Sequence, residues 1–299
     1  MRQFDPVVKH ILDRFGPEFA RLLFNEPGLQ VLQRLDTQQL SIKVHQNDMT
    51  FKVQRANGEV FLQHIEVQTT DSTDIPMPLR VLGYASALVL RYRLPVYSMV
   101  LYLSRNAGRT DPGTYEYQAE GLGLRLDYKV IRFAELEGGT FLEQATIGLL
   151  PFTPLMKPPA GMSPEAWVEA CVAKTYDAPV DSETRSTLLF ALSLLGSLAH
   201  GSELFQQLIS EEIMQESPFY EVVLQRGITQ GIARGARETT IKNILTVLDT
   251  RFSESDTRPA ATALEAIVDK ERLDQILNTA LVAATFSDFL QALHSESRV

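Results

Sequence analysis

One hairpin signal constrains this chain more than any other feature. Ala56-Asn57-Gly58-Glu59 centres on Asn-Gly, the dipeptide that accepts the positive φ angles of a tight two-residue turn. It separates NDMTFKVQ (47–54) from VFLQHIEVQ (60–68). With the two-residue period of a strand, Met49, Phe51 and Val53 face one way and Asp48, Thr50 and Lys52 the other. In the second run Leu62, His64, Glu66 and Gln68 share a face. Folded back on each other, the two strands bring Asp48, 18 positions upstream, into the neighbourhood of Glu66. Two carboxylates on adjacent strands at the edge of a core are costly unless a positive charge sits between them. Divalent magnesium, a hard cation that takes oxygen ligands, is the usual solution. The same residues also admit a plainer reading, in which Asp48 is solvated at a strand start and Glu66 is half of a surface ion pair.

The flanking sequence places this hairpin in an α/β layout. Phe4, Val7, Val8, Ile11, Leu12 and Phe15 follow the i, i+3, i+4 spacing of an amphipathic helix, which Gly16-Pro17 interrupts before a shorter helix to about Phe24. Alternation between Leu29 and Val44 predicts a strand, clearest at LSIKV (40–44). After a polar loop ending in Pro-Met-Pro, PLRVLGYASALVLRYRL is helical with apolar residues on most sides, and VYSMVLYLS (96–104) reads as a buried strand. TYEYQA and GLRLDYKVIRF alternate like further strands. The first half therefore predicts helices packed on a mixed sheet.

The second half changes character. PFTPLMKPPAGMSP (151–164) is Pro-rich and is the expected boundary, followed by helices at roughly 164–176, 182–200, 202–215 and 218–249, with short helices from 258 onward. The domain expectation is a core at 1–150, a helical connector at 151–216, a long helix at 217–250 and a small helical domain at 251–299.

Charge limits the partners. The net charge of −9 argues against tight nonspecific phosphate binding by the whole surface. Residues 1–150 hold 16 Lys+Arg against 17 Asp+Glu, while residues 151–299 hold 12 against 20, so the near-neutral first half is the part suited to approach nucleic acid. No apolar run is long enough to span a bilayer, and the charged N-terminus lacks a signal-peptide core. One cysteine, Cys171, precludes an intramolecular disulfide and fits a reducing, cytoplasmic setting.

The order of these motifs resembles the Rpn (recombination-promoting, transposase-like) branch of the PD-(D/E)XK nucleases. In that family an Asp on the second core strand and a Glu on the third hold a metal, and Gln commonly replaces the Lys of the wider superfamily. By motif, Asp48 matches the Asp, and Glu66 and Gln68 fill Glu-x-Gln. IPMPLRVLGYASAL resembles the Met-Pro-x-Arg…Tyr segment, which places Arg80 and Tyr84 as phosphate contacts, and FDPVVKHIL resembles the Asp-x-x-x-Lys start through Asp5 and Lys9. The resemblance spans roughly residues 4–150. It implies a restriction-endonuclease-like mixed sheet and hydrolysis of DNA phosphodiesters, tied to recombination or mobile elements, with Mg2+ or Mn2+ held by Asp48, Glu66 and the Val67 carbonyl. Gln68 cannot supply a lysine's charge, so Lys52 or Arg80 is expected to, Lys52 sharing the face of Asp48. A nuclease fold kept only for nucleic-acid or partner binding is the alternative.

A second signal is RGITQGIARGAR (226–237), where Gly227, Gly231 and Gly235 form a stripe along a helix. Each helical Gly costs roughly 1 kcal/mol relative to Ala. Close helix approach, within the chain or across a homodimer, is one reading, and a frayed linker is the other. The five histidines show no zinc-like spacing.

Overall fold

The computed structural model describes residues 5–24, 26, 28–35, 49–119, 122–144, 146–252, 257–267 and 269–294. The chain forms two compact units, Met1–Val223 and Leu224–Val299.

The first unit is α/β. Helices α1 (Asp5–Arg14) and α2 (Gly16–Phe24) precede strands β1 (Gln30–Leu35), β2 (Met49–Gln54) and β3 (Val60–Gln68). Helix α3 (Met77–Tyr92) then crosses to β4 (Val96–Tyr102), and β5 (Thr114–Ala119), β6 (Leu122–Asp127) and β7 (Lys129–Arg132) follow. Five strands form one sheet in the order β1-β2-β3-β4-β7, while β5 and β6 pair as a separate hairpin. The β1–β2 and β2–β3 pairs are antiparallel; β3–β4 and β4–β7 are parallel. The parallel β3–β4 pair requires a crossover, and α3 is that crossover.

A turn forms between β2 and β3, but as a three-residue loop rather than the expected two-residue Asn-Gly turn. Arg55 and Glu59 pair across it, the Gly58 N–H donates to the Arg55 carbonyl, and Gly58 alone of the loop residues takes positive φ. Gly58 has φ +89, a backbone state that penalises any Cβ, and Asn57 accepts a hydrogen bond from the Glu59 N–H. The turn fixes the register at Met49 opposite Ile65, Thr50 opposite His64 and Lys52 opposite Leu62.

Both faces of the sheet are covered. On one, Phe51, Val53, Phe61, Ile65, Val67, Met99 and Leu101 join Val7, Val8, Ile11 and Leu12 of α1 in the largest core. On the other, Val81 and Leu88 of α3 pack over Leu62, Val100 and Tyr102. β3 lies at the centre, and every residue from Phe61 to Gln68 is buried. The even-numbered face of β3 is therefore an interior polar surface roofed by α3.

The remaining elements of this unit are a 3-10 helix at Phe133–Glu135, α4 (Gly138–Gln144), a second 3-10 helix at Ile147–Leu155, α5 (Pro164–Tyr176), α6 (Ser182–Gly196), α7 (Ser202–Leu208) and α8 (Glu211–Gln215), joined by the start of α9 (Tyr220–Arg251). The Pro-rich stretch is not a spacer at its start. Pro151 and Pro154 lie inside the second, buried 3-10 helix, and Phe152, Leu155 and Met156 enter the main core together with Leu188, Ala191 and Leu195 of α6. The compact unit thus continues past residue 150 to Val223. Its first strand falls within the alternating stretch 29–44. β1 occupies Gln30–Leu35, whereas LSIKV (40–44) lies outside the described residues.

The second unit is helical, with α10 (Arg258–Glu265), α11 (Lys270–Val282) and α12 (Phe286–His294) following α9. Its own core contains Ile244, Leu248, Leu264, Leu273, Ile276 and Phe289. Arginines bind the carbonyl ends of three of its segments. Arg237 donates to the Glu265 and Ile267 carbonyls, Arg251 to those of Ala280 and Ala283, and Arg272 to that of Ala292. These are the carbonyls that a helix end leaves without partners. Gly227, Gly231 and Gly235 of α9 have nothing within 4 Å of an added Cβ, so the close approach is absent among the described residues.

Candidate functional site

β3 and α3 together build a buried charged cluster. Glu66 is 0% exposed, and its Oε1 lies 2.6 Å from Nη2 of Arg80. Gln68, two residues along the same strand face, donates from Nε2 to the same oxygen at 2.5 Å. The elements dictate this meeting. The period of two sets Glu66 and Gln68 on one side of β3, and Arg80 lies on the first turn of the helix laid across that side.

The pair is incompletely satisfied. Arg80 Nη2 approaches Glu66 without a hydrogen-bonding angle, so Nε and Nη2 of Arg80 and Oε2 of Glu66 all lack hydrogen-bond partners. This is attraction between charges rather than the directed fork that makes arginine–carboxylate pairs strong. Glu66 Oε2 is a buried acceptor with a lone pair to offer.

The same face continues to His64 and Thr50. His64 is 0% exposed, its Nδ1 is 3.2 Å from Ser98 Oγ on β4, and its ring lies 5.2 Å from the ring of Tyr84. Burial, and then the charge of Arg80, lower its pKa to about 3. The imidazole is therefore neutral at pH 7. His64 Nε2 and Thr50 Oγ1 are both buried without partners.

The expected site residues separate into three groups. Glu66, Gln68, Arg80 and Tyr84 are brought together beneath α3, with Arg80 5.9 Å from the Tyr84 ring centre. Lys52 and Lys9 are not brought to them. Lys52 pairs opposite Leu62, four residues from Glu66, which at the rise of a strand is about 13 Å. Lys9 belongs to α1, which packs on the opposite face of the sheet. Val67 turns its side chain into that opposite core and offers only its backbone. Asp48 lies outside the described residues; the described part of β2 begins at Met49, opposite Ile65. Arg80, rather than Lys52, is thus the cation at Glu66.

Two members of the cluster, Thr50 and His64, carry no motif and had no role assigned by sequence. Their signal was the hairpin itself: His64 precedes Glu66 by two, and the turn places Thr50 opposite it. Among the described residues no three His, Cys, Asp or Glu side chains form a metal-binding group. Among them, too, no helix is long and apolar enough to cross a membrane. Comparison of the chain with protein-family models, with curated proteins and with solved structures gives no match in any of the three.

Proposed function

We propose that this chain is a metal-dependent deoxyribonuclease of the PD-(D/E)XK type, acting on DNA phosphodiesters in recombination or the movement of genetic elements. The observation that carries this reading is Glu66 Oε2, a fully buried carboxylate oxygen without a hydrogen-bond donor. Such an atom costs about 1–3 kcal/mol unless a donor or cation meets it. Its chemistry fits Mg2+ or Mn2+, which take carboxylate oxygens. Glu66 and Asp48 would hold the ion, with the Val67 carbonyl as a backbone oxygen. When bound, such an ion supplies Lewis-acid stabilisation of charge on a phosphodiester.

The chain's own residues then have separable tasks. Gln68 holds Glu66 Oε1 through its amide and so fixes the carboxylate's orientation. Arg80 neutralises Glu66 through Oε1 and carries further N–H groups suited to a phosphate. Tyr84 walls the cluster beside His64. The near-neutral charge of residues 1–150 fits approach to DNA better than the −8 of residues 151–299. A cytoplasmic setting agrees with the single cysteine, Cys171, which is buried, its thiol pushed up to about 12 by desolvation.

One observation favours a second reading. Arg80 already neutralises Glu66 from within the fold, which suits a nuclease-like module that binds nucleic acid or a partner without metal. The exposed Gly stripe of α9 would then serve a homodimer through residues 218–250. Purified protein incubated with supercoiled plasmid separates the readings. A nuclease nicks DNA with Mg2+ or Mn2+, stops on chelation and loses activity in Glu66→Ala. Equal activity of wild type and Glu66→Ala removes the site assignment.

A further inference from the structure

The polar surface beneath α3 does not end at Glu66. His64 Nδ1 lies within hydrogen-bond reach of Ser98 Oγ, and a neutral imidazole carries one N–H. With that proton on Nδ1 and given to Ser98, Nε2 is a bare lone pair, fully enclosed and without a donor. This is the arrangement by which proteins prepare a histidine ligand: the outer nitrogen is fixed by a hydrogen bond and the inner one is left free. His64 and Glu66 are two residues apart on one strand face, about 6.6 Å along the backbone. An imidazole and a carboxylate at that spacing reach a common ion between them. Thr50, opposite His64, adds a buried hydroxyl without a partner.

We propose that His64 Nε2 and Glu66 Oε2 share one divalent ion, and that the nitrogen ligand selects a first-row transition ion such as Co2+ over Mg2+. The inference rests on the metal-binding reading of Glu66 and adds to it a ligand and a selectivity. Imidazole suits later first-row ions, whose affinity for a nitrogen-containing site rises along the series, whereas Mg2+ prefers oxygen alone. Ser98 positions the ring and does not bind the ion. The ion takes Oε2, the free oxygen of Glu66, while Arg80 and Gln68 meet Oε1 and hold the carboxylate in place.

Calorimetry of the full chain with Co2+ and with Mg2+ tests this. Wild type is expected to bind Co2+ about 100-fold more tightly than Mg2+, and His64→Gln to lose about 10-fold or more of the Co2+ affinity while Mg2+ affinity holds within about twofold. Electron spin-echo spectra of Mn2+-loaded wild type, which need no variant to fold, should show coupling to a directly bound nitrogen. Equal Co2+ affinity in wild type and His64→Gln, or a spectrum without nitrogen coupling, overturns the role of His64. If Mg2+ binding is then still lost in Glu66→Gln, the metal reading of Glu66 stands alone. Wild type that binds neither ion overturns both.

Discussion

Arg80 meets Glu66 at 2.6 Å with the carboxylate wholly buried and the guanidinium side chain 10% exposed. A buried pair is costly to break from one side, because the remaining charge has no solvent. Arg80→Met is therefore expected to lower unfolding free energy by about 3–5 kcal/mol, and Glu66→Gln by a similar amount. The double variant should lose less than the sum, with a coupling of about 1–3 kcal/mol in urea denaturation. Additive losses would show that the two charges do not interact in solution.

Burial of neutral His64 sets a pH dependence. Its folded pKa is lowered to about 3 from 6.5, so between those values the unfolded chain binds a proton that the folded chain refuses. Stability contributed by His64 is full above pH 6.5 and falls as pH drops toward 3. From pH 8 to pH 5 the loss should be roughly 2 kcal/mol. The difference between wild type and His64→Gln isolates it from other groups, including His10, whose pKa burial also lowers. A His64→Gln curve parallel to wild type across this range would place the imidazole in contact with water.

The helical second unit depends on side chains that cap its helices. Arg251 donates at 2.6 and 2.8 Å to the Ala280 and Ala283 carbonyls at the end of α11. Arg251→Met keeps the aliphatic stem and removes both bonds, at an expected cost of about 2–3 kcal/mol in this unit. Calorimetric scanning should show the transition of this unit moving down while that of the α/β unit stays in place. An unmoved transition would mean that water replaces the arginine without loss.

The glycines of α9 have open space around them, so Gly231→Ala should stabilise the helix by about 0.5–1 kcal/mol. Circular dichroism during heating reads this directly. A lower melting temperature, accompanied by loss of a dimer in light scattering, would instead reveal a partner helix seated on the stripe.

Much of the α/β core was legible because its signals are local. The two alternating runs made β2 and β3 legible, and with the period of two the shared face of His64, Glu66 and Gln68. The register was not legible, because the loop has three residues and a two-residue Asn-Gly turn would shift the pairing by one. The position of Arg80 followed from the motif order, but its ion pair did not, because the contact depends on how α3 crosses the sheet. Lys52 looked the better cation from its face alone; distance along the strand decides against it. The Pro-rich segment misled for a comparable reason. Proline signals a break in regular helix, yet Phe152, Leu155 and Met156 supply apolar area that the α6 side of the core absorbs. Thr50 and His64 are ordinary strand residues in sequence, and their lack of partners exists only once the fold buries both.

Crystals soaked in Mn2+ and measured at its absorption edge test the central claim most directly. A metal-dependent site at Glu66 requires an anomalous peak within coordinating distance of Glu66 Oε2, the carboxylate oxygen that Arg80 leaves free. No peak there would contradict the claim and leave the buried ion pair as a purely structural element of the fold.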